Sequence, residues 1–356
     1  MEEKKESSEE NTTEDTSENN ESTIENNPIE TTNQDTENKN NQDTNKENKF
    51  KIPKISFSFS GIKRIYEGQY KKLLILPFAL LFIAIILIGV KVATTGDFIN
   101  RDVSLKGGVT VTIPTTQQID ILNLKNSLSA AFPENDVSTK SLSQFGTQVG
   151  IIVEADIVEK QVGDLIDEIG NQLSMKLTSK DYSVEIVGSS LGASFFREII
   201  IALLIAFLFM AIVVFFYFRT FIPSLAVILA ALSDILITLA IVNLLEMKLS
   251  TAGIAAFLML IGYSVDTDIL LSTRVLKRKE GTEMERIYGA FKTGITMSLT
   301  TMIAVTIALI FTQSEVIKQI MTILLIGLAI DLINTWIQNV GILRLYLEKK
   351  AKKALQ

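Results

Sequence analysis

"LMLIGYSVDTDILLSTRV", residues 258–275, begins as a membrane-spanning helix and then places Asp266 and Asp268 two positions apart. A carboxylate deep in a bilayer costs at least about 2.5–3.5 kcal/mol on insertion scales, so intramembrane acids have a function or a partner. The run from Leu249 to Val265 carries no charge. Working outward, uncharged apolar runs recur at Leu73–Val90, Ile199–Phe218 and Thr293–Ser314. Thr220–Leu245 is interrupted only by Asp234, and Gln319–Leu343 only by Asp331. Since about 20 residues cross the hydrocarbon core as a helix, the pattern predicts six transmembrane helices. Pro77 falls in the first turns of span one, where a missing amide matters least.

Basic residues set the expected orientation. Lys51, Lys54, Lys63, Arg64, Lys71 and Lys72 precede span one, Arg274, Lys277, Arg278 and Lys279 follow span four, and Arg344, Lys349, Lys350, Lys352 and Lys353 close the chain. Six spans bring all three clusters to one side, which the positive-inside rule makes the cytoplasm of a cell-membrane protein with both termini inside. These clusters read as boundary anchors against membrane lipid; nucleic acid is not an expected partner.

The 356 residues are 47% hydrophobic, and their net charge of −6 averages unlike regions. Residues 1–50 hold 15 Asp and Glu against 5 Lys, a net of −10, leaving +4 for the rest. Rich in Asn, Thr, Glu and Ser, that stretch cannot bury enough apolar surface to offset chain entropy, and a disordered acidic cytoplasmic tail is expected. A basic juxtamembrane segment, 51–72, follows, then span one at 73–95. The chain has no cysteine and no histidine, which removes thiol chemistry and the commonest metal ligand and general base. No enzyme site, cofactor or metal is expected.

Between spans one and two, residues 96–194 read as one domain on the opposite side from the basic clusters. The pattern predicts a strand at Val103–Ile113, where "VTVTI" alternates, a helix at Gln117–Phe132, and strands at Val137–Leu142 and Gln148–Glu154. A helix at Ile157–Leu177 and a strand at Tyr182–Val187 complete a β-α-β-β-α-β order, that of a ferredoxin-like α+β domain. "LKGGV" is a turn-and-strand glycine pair rather than a phosphate-cradling loop. Spans two to six occupy 195–347, and 348–356 form a basic cytoplasmic end.

Asp234, Asp266, Asp268 and Asp331 are the candidate ion-coupling residues. No Lys or Arg lies within the apolar runs, so each carboxyl is protonated much of the time, solvated in a cavity, or paired with a cation from elsewhere. A lone Asp can instead hydrogen-bond a neighbouring helix and fix packing. Residues 266 and 268 stand about 200° apart around a helix and cannot share a face. Asp268 continues a polar stripe with Ser264 and Ser272, whereas Asp266 lies beyond Gly262, where another helix can approach. Either can be the coupling group, with the other structural. Gly262, Gly294 and Gly327 are expected helix-packing points, and Trp336 a packing or interface residue.

The strings "VGSSLGASFFREIIIALLIAFLFMAIVVFFYFR" (187–219), "SLAVILAALSDILIT" (224–238) and "LIGYSVDTDILLSTRV" (260–275) closely resemble the SecD/SecF family of protein-export membrane proteins, in its smaller, SecF-type branch and archaeal form. "LKGGVTVTI" is similar to that family's glycine-containing first strand, and the resemblance spans about residues 60–350. It implies a six-helix half of the resistance–nodulation–division transporter architecture, with SecD as the other half. It also implies ion-driven assistance to a polypeptide leaving the Sec translocon channel. Asp234 matches a family acid directly. The bacterial GYS-x-Asn-Asp-Thr pattern places its acid opposite Thr267, whereas here acids stand on either side. A bacterial Arg near the start of span five has Thr293 in line, with Lys292 at the edge, and Asp331 replaces a small residue. Proton and sodium are both open as the coupled ion. Competing classes are an ion-coupled small-molecule or lipid exporter of the same superfamily, which carries two halves and two large outward domains, and a non-conducting assembly factor.

Overall fold

The computed structural model describes residues 68–354 except 145 and 279. The expected acidic tail, most of the basic segment 51–72, and the last two residues lie outside the described residues. Among the described residues six helices are long and apolar enough to cross a membrane: Tyr70–Thr95, Ser189–Phe218, Phe221–Leu244, Thr251–Lys277, Glu283–Phe311 and Glu315–Ala354. They are spans one to six. Helices suit that setting because every backbone polar group is satisfied within the segment.

Spans three and four form the centre of the bundle. Span three buries Ala230, Ser233, Asp234 and Ile237, and span four buries Leu260, Ser264, Asp268 and Leu271. Spans one, two and five instead turn large apolar side chains outward, among them Phe82, Phe209, Phe216 and Ile310. Span four starts two residues later than the apolar run, at Thr251, because the Ser250 hydroxyl accepts from the Gly253 amide and caps it. It then continues through both acids to Lys277. Span two begins at Ser189, well before its apolar run.

Between spans one and two lies a four-stranded antiparallel sheet: β1 (Gly108–Pro114), β2 (Val137–Gln144), β3 (Thr147–Ala155) and β4 (Ser183–Val187), in the order β2-β3-β1-β4. Val111 pairs with Val153 and Val184, and Thr139 with Val153. Alternate residues Val109, Val111 and Ile113 of β1, with Ile151 and Val153 of β3, point to one face. Helices α1 (Ile121–Ala131) and α2 (Val162–Leu173) close that face with Leu124, Leu128, Leu165 and Ile169.

Three elements differ at their ends from the sequence pattern, for local reasons. The first strand starts at Gly108, not Val103, because Val103–Lys106 forms one helical turn whose Asp102 cap accepts from the Ser104 amide at 2.8 Å. Gly107 (φ 89°) and Gly108 (φ 135°) then turn the chain in a conformation that side chains disfavour. A Cβ on Gly107 would lie 2.4 Å from the Ser189 Cα, so the pair also lets this strap cross the start of span two. Helix α1 starts after Asp120, which accepts from the Leu122 and Asn123 amides. Helix α2 is shorter at both ends, following a 3₁₀ turn at Glu159–Gln161 and stopping where Ser174 takes a φ of 52°.

The sheet unit is tied to one end of the bundle. Leu249 donates to the Asn100 carbonyl at 2.6 Å, Asp102 to the Leu249 carbonyl at 3.0 Å, and Thr251 to the Ser104 hydroxyl at 3.2 Å. Asp136, before β2, takes Lys248 at 2.8 Å and Lys106 at 3.4 Å. Span six joins through Gln319, which bonds the Ser250 side chain and, at 2.5 Å, the Lys248 carbonyl.

Candidate functional site: a buried polar cluster

Span six is not one regular helix. Its α-helical part, Glu315–Ile333, passes into a π-helical segment, Asn334–Asn339, and resumes as α-helix at Val340. Hydrogen bonding to the fifth residue admits an extra residue per turn, and such segments concentrate at functional sites. Asn334, Thr335, Gln338 and Asn339 are thereby all fully buried, as is Asp331 one turn before. Span four contributes Ser264, Asp268 and Ser272, each four residues apart on one buried face, and span three contributes Ser233, Asp234 and Thr238.

These side chains meet. Asp234 accepts from the Ser264 hydroxyl through Oδ2 and from Asn334 Nδ2 at 2.7 Å through Oδ1. Asp268 Oδ1 receives Asn339 Nδ2 at 2.7 Å. The Thr335 hydroxyl stands 2.9 Å from Oδ1 of Asp268 and 2.9 Å from Oδ1 of Asp331. Gln338 Nε2 donates to the Ser233 hydroxyl at 3.1 Å. Three carboxyl groups from three helices are thus held by neutral amides and hydroxyls.

Acceptors outnumber donors there. Asp268 Oδ2, Asp331 Oδ2 and the amide oxygens of Asn334, Gln338 and Asn339 have no hydrogen-bond partner among the described residues. A buried unsatisfied polar group costs about 1–3 kcal/mol, more when charged, so this is an expensive arrangement for packing alone. Chemically it is a buried, acceptor-rich cluster able to take up positive charge. Among the described residues no three acids are disposed to hold a metal ion.

The structure brings together Asp234, Asp268 and Asp331, and leaves Asp266 apart. Asp266 is exposed on the outer surface of span four, with Gly262 and Tyr263 on the same side. Gly262 as a packing point within the chain is corrected: a Cβ there would meet no atom within 4 Å. Gly294 and Gly327 do lie at close helix contacts. A Cβ on Gly327 would come 2.5 Å from Leu260 Cδ2, and one on Gly294 would come 2.3 Å from the Trp336 ring. That ring belongs to the π segment and stacks edge-on with Phe291 at a centroid distance of 5.0 Å, so Gly294 makes room for the distorted turn. The polar residues of the π segment are what the sequence reading missed. Their signal was the spacing of Asp331, Thr335 and Asn339, and of Asn334 and Gln338, four apart within one span.

The family model "Protein export membrane protein SecD/SecF, C-terminal" matches residues 169–349, which include every residue of the cluster. The chain belongs to the SecD/SecF family. The SecF protein-export membrane protein of Methanocaldococcus jannaschii is 39% identical over 80% of this chain and 99% of its own length. That of Pyrococcus furiosus is 37% identical over 82% and 96%, and that of Haloferax volcanii 34% over 84% and 97%. In fold, the chain is similar to the crystal structure of SecDF from Thermus thermophilus, a translocon-associated membrane protein. The TM-score is 0.62 at 18% identity, over 80% of this chain and 38% of that one. A six-helix SecD/SecF family member with a small antiparallel sheet is a multi-pass membrane protein.

Proposed function

We propose that this chain is a non-enzymatic accessory subunit of the Sec protein-export machinery, acting with SecD to assist polypeptide translocation across the cell membrane by using an ion gradient. The observation that carries the reading is the junction of Asp234, Asp268 and Asp331 in one buried cluster whose donors are all neutral. Carboxylates without a cation in a membrane interior must bind and release positive charge to change state. Moving one charge down a 100 mV potential yields about 2.3 kcal/mol, so a few ions per cycle suffice for a useful movement. Its outlet is the sheet unit, which we read as a ferredoxin-like domain outside the cell, with both termini in the cytoplasm. Spans four and six, which carry two of the acids, also carry the Ser250–Gln319 contact and the Thr251–Ser104 tie to that unit.

SecD, the Sec channel, the emerging polypeptide and membrane lipid are the partners of this reading. Support for a second half-transporter comes from Asp266. An exposed carboxylate beside Gly262 on a spanning helix is costly against lipid and suits a protein surface bearing a donor or cation. The test is purification of the full chain from its own membranes, with export assayed in inverted vesicles with and without an imposed ion gradient. Co-purification with SecD and gradient-stimulated export are expected. A homodimer carrying bound lipid, with no effect on export, would overturn the reading.

A further inference from the structure

We propose that a basic cleft between the sheet unit and the end of span one binds the phosphate-bearing headgroup of an anionic membrane lipid. The inference gives one partner of the reading above, membrane lipid, a site and a headgroup charge, and it holds whether or not the buried acids couple ions. The cleft has a volume of about 650 Å³. Its walls are the last turns of span one with Lys91, the strap with Arg101 and Lys106, helix α1 with Lys125, strand β2 with Lys140, and the turn after span three with Lys248. Asp97, Asp136 and Glu246 are the acids among the lining residues, so six cations face three carboxylates.

Pairing within the cleft leaves positive charge over. Arg101 is held by Asp97 at 2.6 Å and Lys140 by Glu154 at 2.5 Å. Lys248 and Lys106 share the one carboxylate of Asp136, at 2.8 and 3.4 Å. Lys91 donates to the neutral Asn100 amide oxygen at 2.5 Å, and neither it nor Lys125 is paired with an acid among the described residues. Arg101 Nε is buried with no hydrogen-bond partner there. Lys91, Lys106 and Lys248 are half-buried, so water neutralises the surplus poorly. A phosphate, with its charge and several acceptor oxygens, is the complement. The depth of the cleft selects a lipid over a free anion. Span one's helix, Ile75–Thr95, is about as long as the hydrocarbon core is thick, which puts Lys91 one turn from the boundary where headgroups begin. A lysine so placed extends its charge to the headgroup level along its apolar stem. Val90 and Val92 on span one, and Leu244 and Leu245 at the end of span three, are exposed and apolar, a surface for the acyl chains of a lipid so held. One bound phosphate would then tie the sheet unit to span one, beside the Asp136 pairs.

The experiment measures lipid retention by the purified full chain in native mass spectrometry, with phosphatidylglycerol and phosphatidylcholine of matched tails as the probes. Phosphatidylglycerol should be held about tenfold more tightly than phosphatidylcholine, and Lys91→Gln combined with Lys125→Gln should lower its affinity about tenfold or more, the loss of two cationic headgroup contacts. Lys176→Gln combined with Lys180→Gln, the same change of charge in the loop after α2, should stay within about twofold of wild type, because screening mutes distant charges. Equal retention of the two lipids, wild-type affinity in the Lys91 and Lys125 variant, or an equal loss in the control variant would overturn the inference. So would displacement of the lipid by an equal concentration of inorganic phosphate or of a Glu-rich peptide, which would make the occupant a free anion or an acidic polypeptide. Should the double variant not accumulate, Lys125→Gln alone decides. It changes only an exposed residue of α1, and phosphatidylglycerol affinity should fall about fivefold. No fall would overturn the inference. None of these readouts involves export, so the proposal and the ion-coupling reading fail separately.

Discussion

The sheet unit and the helical bundle are built with opposite polarity. In the sheet, Val109, Val111, Leu128, Ile151 and Leu165 are buried together, and the half-exposed Lys248–Asp136 pair lies outside that cluster. In the bundle the outer surface is Phe82, Phe209 and Phe216, and the centre holds three aspartates, three amides and several hydroxyls. The outside of the bundle follows from its solvent, since lipid tails are as apolar as leucine. Its inside does not. Hydrophobic side chains of similar volume in place of a buried polar cluster are often neutral or stabilising, so the bundle's centre is organised for something other than stability. The cluster inside the sheet unit is apolar throughout.

That contrast can be broken most severely by placing a charge in the sheet. Ile151→Asp puts an unpaired carboxylate among apolar neighbours, with a cost of about 3–5 kcal/mol. Limited proteolysis should cut within 108–187 while the six spans stay intact, and a protease-resistant variant would show that this interior is not a tight apolar core. The opposite change in the bundle should have the opposite sign. Gln338→Leu removes an orphaned amide oxygen and one 3.1 Å bond to Ser233, and the thermal midpoint of the solubilised complex should hold or rise by about 1–3 kcal/mol equivalent. A fall of that size would mean the amide is a structural support.

The smallest effect is expected at the rim. Burial pulls the Asp136 carboxyl upward, but its bond to Lys248 and the charges of Lys248 and Lys106 outweigh that and hold it below the usual carboxylate range. A depressed folded value means the tie is complete above the ordinary carboxylate range and lost as pH falls through the folded value. Being half exposed, it is worth about 1 kcal/mol or less. Hydrogen exchange of amides 246–251, corrected for intrinsic rates, should quicken over that acid window, and Asp136→Asn should reproduce the change at neutral pH. Exchange that is insensitive to both would show that the backbone ties alone hold the sheet unit.

Much of this was legible because hydrophobic length and period survive in any context. Six apolar runs were visible despite Asp234 and Asp331, and alternation marked the strand at 109–113. The stripe Ser264–Asp268–Ser272 was also plain, as was the angular separation of Asp266 from Asp268. Which of those two faces inward was not, since a face becomes inner only when spans three and six pack on it. Gly262 shows the same gap: a missing side chain permits a close contact but does not supply the neighbour. The π segment was hidden because its bonding changes the period within six residues, too short a stretch for periodicity to register. The helical turn at Val103–Lys106 was hidden because its cause is one side-chain cap and a glycine pair shaped by contact with Ser189, far along the chain.

On the proposed reading the inward-facing acids handle ions and the outward-facing one does not. The most direct test is gradient-stimulated export in inverted vesicles for Asp268→Asn beside Asp266→Asn, with complex assembly measured in both. Asp268→Asn should assemble normally and lose the stimulation, because an amide keeps the hydrogen bonds but cannot carry the charge. Asp266→Asn should retain it. Full stimulation in Asp268→Asn would contradict the account and make the buried acids packing groups.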